Sequence, residues 1–60
     1  DILYKKYFIN NLNRFSENEL KSLKSVFDIY SDNEIYKILT NKIEVNIEFK
    51  NLFEKILKFK

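Results

Sequence analysis

Phe15-Ser16-Glu17-Asn18-Glu19-Leu20 and Tyr30-Ser31-Asp32-Asn33-Glu34-Ile35 repeat one local arrangement: an aromatic residue, a serine, and a glutamate three positions after the serine. In such a capping box the serine hydroxyl accepts from the backbone N–H of the glutamate, whose carboxylate accepts from the serine N–H. Acidic residues in the first turn also lie at the positive end of the helix dipole. Two helices are therefore expected to start near Glu17 and Asp32, and these two starts decide the fold class.

After the first start, Leu20, Leu23, Val26, Phe27 and Tyr30 recur at threes and fours, an apolar stripe at the helical period, with Lys21, Ser22, Lys24 and Ser25 toward water. After the second, Ile35, Tyr36, Ile38 and Leu39 make a shorter stripe, roughly ten residues of helix. It should end near Asn41, because asparagine is the best substitute for glycine at a left-handed C-terminal position and the chain has no glycine.

Upstream, Ile2, Leu3, Tyr7, Phe8 and Leu12 are again helical in period, with Asn10, Asn11 and Asn13 lowering the propensity toward the end. Downstream, a connector from Lys42 to Val45 leads to Asn46, a candidate N-cap. A last amphipathic helix follows, with Ile47, Phe49, Leu52, Phe53, Ile56, Leu57 and Phe59 on one side and Lys50, Lys55, Lys58 and Lys60 between them. Ile43-Glu44-Val45 alternates as a strand would, but no second strand exists to satisfy its backbone. The expectation is an all-α fold: one domain over residues 1–60, a compact bundle of four helices whose stripes all serve as core.

The chain has 60 residues, and so small a domain buries only about 60% of the surface its unfolded chain exposes. It contains neither cysteine nor histidine, which removes disulfides, thiol nucleophiles, thiolate metal ligands and the side chain that titrates near neutrality. No carboxylate pair stands in a recognisable catalytic setting, and Glu48-Phe49 lacks the Asp- and Gly-containing loop of a calcium-binding hand. An enzyme is not expected, nor a metal site.

Eleven basic and nine acidic residues, spread along the chain, give a net charge of +2, a poor electrostatic footprint for nucleic acid. The lysines of the last segment read as a solvated face, diluted by Glu48 and Glu54. No apolar run reaches the ~20 residues that span a bilayer. Because the chain starts at Asp1 and contains no methionine, it is expected to be a piece of a longer product.

In order, Asp1-Ile2-Leu3, Tyr7, Leu12, Phe15-Ser16, Glu19-Leu20, Phe27, then Asp32-Asn33-Glu34-Ile35-Tyr36-Lys37-Ile38-Leu39-Thr40 and the amphipathic stretch from Leu52 to Phe59 resemble the SdhE family. These are succinate dehydrogenase assembly factors, which promote covalent attachment of FAD to a flavoprotein subunit. The resemblance runs over nearly the whole chain. It departs from the family at Ile38, where tryptophan is frequent, at Asn33, near which a proline is usual, and at Thr40-Asn41-Lys42, where glycine and prolines are usual.

The family signature Arg-Gly-x-x-Glu lies upstream of the position Asp1 would occupy, so the resemblance implies four helices of a five-helix bundle, without the first. Removal of that helix would expose some of Tyr4, Tyr7 and Phe8. It further implies a non-enzymatic factor whose partner is the succinate dehydrogenase flavoprotein subunit, with Asp1, Asp32, Glu34 and Tyr36 as partner-binding residues. It would bind no cofactor itself, acting on FAD attachment in the partner, and would be monomeric when free. Its place would be the bacterial cytoplasm, or alternatively the mitochondrial matrix. By residue chemistry alone, acidic residues at 32 and 34 are accounted for by the helix dipole. The alternative function is a generic helical interaction module, including an antitoxin-like regulator.

Overall fold

The computed structural model describes residues 6–59, and among them the chain is helical with no strand. Lys6 and Tyr7 are helical, followed by a 3-10 segment η1 (Ile9–Arg14), then α1 (Glu17–Ile29), α2 (Asp32–Leu39), a 3-10 turn η2 (Ile47–Phe49) and α3 (Lys50–Leu57).

Both capping boxes form. Ser16 Oγ accepts from Glu19 N at 3.1 Å while Ser16 N donates to Glu19 Oε1 at 2.8 Å. Ser31 Oγ accepts from Glu34 N at 3.2 Å while Ser31 N donates to Glu34 Oε1 at 2.9 Å. Only Tyr30 and Ser31 separate α1 from α2, and both are extended, so the chain reverses its helical path within two residues.

The end of α2 follows from Asn41. Its φ of 61° is left-handed, and the next donors fold back on the helix: Asn41 N to Ile38 O at 3.0 Å and Lys42 N to Lys37 O at 2.7 Å. This is the Schellman arrangement, with asparagine where glycine is commonest. The connector beyond it is held by Tyr30, whose hydroxyl accepts from Asn46 N at 3.0 Å and whose ring meets Phe49 edge to face. Val45 packs partly buried against the core.

That core takes one nearly inaccessible side chain from each α-helix: Val26 from α1, Ile35 from α2 and Ile56 from α3. Around them lie Phe8, Phe15, Leu23, Ile38, Leu39, Phe49, Leu52, Phe53 and Phe59. Lys55 closes the molecule, its ammonium donating to Arg14 O at 2.8 Å and to Glu19 Oε1 at 2.7 Å. Phe15 and Phe59 pack edge to face beside it.

The structure departs from the sequence-based expectation in four places. The first helix does not run through Leu12: Asn11 (φ −124°, ψ 15°) breaks it, and the chain continues as 3-10 turns. Three asparagines in four positions explain this, since their side chains compete with the helical backbone. Of the three aromatics expected to be partly exposed, Phe8 is instead buried and Tyr7 is half-buried, while Tyr4 lies outside the described residues, so the expectation for the group stays open. The last helix begins as a 3-10 turn that Asn46 does not cap with its side chain, and Ile47 points outward. Finally, the stripes are not all core: Leu12, Leu20, Phe27, Tyr36, Ile47 and Leu57 keep substantial exposure.

Ser16→Ala and Ser31→Ala should each cost about 1 kcal/mol in urea unfolding, and Asn41→Val about 1–2 kcal/mol, because a β-branched residue resists positive φ. Ile56→Ala should cost about 2–5 kcal/mol, most of the roughly 3–9 kcal/mol available to a chain of this length. An Ile56→Ala protein as stable as the parent would mean that the core is elsewhere.

Candidate functional site

The kink at Asn11 makes the most distinctive surface of the molecule. Asn11 is buried, and its Nδ2 donates to Lys6 O at 2.8 Å, satisfying a carbonyl at the end of the broken helix. Phe8 turns inward and meets Phe27 edge to face, ring centroids 5.3 Å apart. The 3-10 turns that follow carry Ile9 and Leu12 to the outside, 58% and 49% exposed. These side chains, with Phe8, Leu23 and Phe27 from below, line an open groove of about 410 Å³. Asp32 at the start of α2 supplies its one charged lining group among the described residues.

The groove is apolar, shallow and ringed by aliphatic and aromatic side chains. A small molecule would be poorly enclosed there, since ligand pockets bury most of the ligand. The surface suits a protein partner better, because contiguous exposed apolar patches mark interaction sites. Among the described residues no three His, Cys, Asp or Glu side chains converge as metal ligands would. No described helix is long and apolar enough to cross a membrane.

No family model, curated protein or solved structure matches this chain. Its site therefore has to be read from its own residues.

Of the residues singled out in the sequence, Asp32 joins the groove. Glu34 is exposed and engaged in the capping box of α2 through both its carboxylate and its N–H. Tyr36 is 47% exposed and lies four residues after Asp32, hence on the same side of α2. Glu34, two residues from each, lies on another side. Asp1 lies outside the described residues. Apart from Asp32, no groove residue carries a site signal in the sequence: Phe8, Leu12, Leu23 and Phe27 fall in core stripes, and Ile9 lies outside them. The asparagines at 10, 11 and 13 carry the signal, because a stripe that crosses a helix break no longer faces one way.

Away from the groove, Glu19 is the focus of charge. Its Oε1 accepts from both Lys55 Nζ at 2.7 Å and Ser16 N at 2.8 Å. The hydrogen bond from Lys55, followed by that from the Ser16 backbone, holds the carboxyl below its ordinary value of 4.5. A depressed carboxylate pKa contributes stability that is complete above the unfolded value and is lost as the pH falls through the folded one. In thermal melts, the difference between the parent protein and Glu19→Gln should stay constant well above pH 4.5 and shrink below it. A difference that does not change with pH would show that the carboxylate charge is not what Lys55 reads.

Proposed function

We propose that this protein is a non-catalytic assembly factor that docks on the succinate dehydrogenase flavoprotein subunit and promotes covalent attachment of FAD to it. Two lines support this reading. The resemblance of Asp1 to Leu39 to the SdhE family names the partner, and the open apolar groove beside Asp32 offers a surface on which a protein partner can seat. The groove carries the structural side of the proposal.

The chemistry belongs to the flavin and the partner. The factor acts by binding best to the arrangement of the flavoprotein in which its histidine can attack the FAD methyl carbon, drawing the population toward that arrangement. Moving a minor state from 1:99 to 99:1 takes about 5.5 kcal/mol of differential binding. Three apolar anchors at about 2 kcal/mol each, buried on docking, provide this, and Ile9, Leu12 and Phe27 are apolar side chains of that type at the groove. Phe27 is already held edge to face against Phe8, and an anchor held in place loses little entropy on binding. The compartment is the one in which the flavoprotein matures, the bacterial cytoplasm or the mitochondrial matrix.

The test is in-gel flavin fluorescence of the denatured flavoprotein subunit after expression with and without the full-length protein. The covalent signal should rise with the protein and fall back, by roughly tenfold or more, with the Ile9→Ser/Leu12→Ser double variant. Both side chains are largely exposed, so that variant should remain folded. No rise with the parent protein would overturn the proposed activity. A rise undiminished by the double variant would overturn the groove as the docking surface.

A further inference from the structure

From Phe8 to Phe15 the chain winds by threes. Asn11 N donates to Phe8 O at 3.1 Å and Phe15 N to Leu12 O at 3.4 Å, and in 3-10 winding side chains three apart line up. Phe8 and Asn11 form an inward row, both buried, while Ile9 and Leu12 form an outward row, both exposed and both lining the groove beside Asp32. An α-helix would sort the same residues differently: Phe8, Leu12 and Phe15, at i, i+4 and i+7, fall within about 60° of one another. Leu12 would then share the inward face with the two phenylalanines.

The observed arrangement runs against burial on both counts. It leaves Leu12 half in water, forgoing the transfer of that surface, and it takes an amide out of water, which is unfavourable unless the amide is bonded. Asn11 is the one buried polar side chain among the described residues. The bond that satisfies it is specific: Nδ2 donates to Lys6 O at 2.8 Å, a carbonyl that in a continuous α-helix accepts from the N–H of Asn10. The side chain thus stands in for a backbone donor. Asn10 and Asn13 are exposed and lower the helix propensity, but that alone favours no particular winding. Local rules of burial and propensity are broken together chiefly where a surface is used.

We infer that Asn11 is a positioning residue: its amide, bonded to Lys6 O, holds residues 8–12 in the three-residue winding that stands Leu12 beside Ile9 on the groove, and without that bond the segment winds as an α-helix that turns Leu12 inward. A change of one residue in hydrogen-bond register, from i+3 to i+4, moves an anchor between surface and core. That the surface position serves docking rests on the function proposed above. The position itself does not.

Methyl NMR of the full chain with a soluble paramagnetic probe, comparing the parent with Asn11→Ala, tests this without the flavoprotein, so its failure is distinct from failure of the docking reading. In the parent, the probe should relax the Leu12 methyls nearly as strongly as those of Ile9, and one Nδ2 proton of Asn11 should exchange more slowly than the side-chain amides of Asn10 and Asn13. In Asn11→Ala, the Leu12 relaxation should fall to that of the buried Leu52 while Ile9 keeps its own, and the helical circular dichroism should deepen. Asn10→Ala and Asn13→Ala should leave Leu12 accessible. Leu12 equally accessible in the parent and in Asn11→Ala, an Asn11 amide that exchanges as fast as its neighbours, or a Leu12 turned inward by Asn10→Ala or Asn13→Ala would each overturn the inference. With the flavoprotein present, Asn11→Ala should lose the covalent flavin signal that the parent raises, and an undiminished signal with Leu12 turned inward would overturn the positioning role.

Discussion

Val26, Ile35 and Ile56 are buried to within 1% of complete inaccessibility, one from each α-helix, and the rest of the molecule is arranged to bring them into one core. A 60-residue chain has only a small core, so the angular phase of each helix has to be right. The capping serines set that phase. Once Ser16 and Ser31 fix the first helical residues, the 3.6-residue period decides that Val26 and Ile35 face inward. A helix shifted by one residue would turn its stripe by about 100° and put polar side chains in the core.

Lys55 ties α3 to the segment that leads into α1. Its ammonium lies over the Phe15 ring and joins α3 to the end of η1 and to the capping glutamate of α1. Arg14 over the Phe59 ring adds a second cation at the same corner. Both members of the Lys55–Glu19 pair are about one-third exposed, so the contact acts more by fixing geometry than by raising stability. The energy comes from the apolar cluster, and the register of the first helical segment against the last comes from this corner.

The all-α class, the starts of α1 and α2 and the stop at Asn41 were legible because each rests on local chemistry: a serine, a glutamate three residues on, an asparagine able to take positive φ. The η1 turns and the outward path of Ile9, Leu12 and Ile47 were not, because periodicity assumes a continuous helix and says nothing of where one is broken. Asn11 in particular reads as a weak helix former, yet its role is to carry a buried hydrogen bond to Lys6 O. The candidate site was half legible. Asp32 was marked by resemblance, while the groove beside it is a product of the kink. Glu34 shows the reverse: a residue marked for partner binding also carries a complete structural role.

The proposed docking rests on a surface, and a surface can be mapped. The direct measurement is methyl NMR of the isotope-labelled chain titrated with unlabelled flavoprotein subunit. The methyl signals of Ile9, Leu12 and Leu23 should broaden or shift at the lowest additions, with those of Ile43, Ile47 and Leu57 unchanged. Spectra that do not respond, or responses confined to Ile43, Ile47 and Leu57, would contradict the assignment of the groove beside Asp32 as the docking surface.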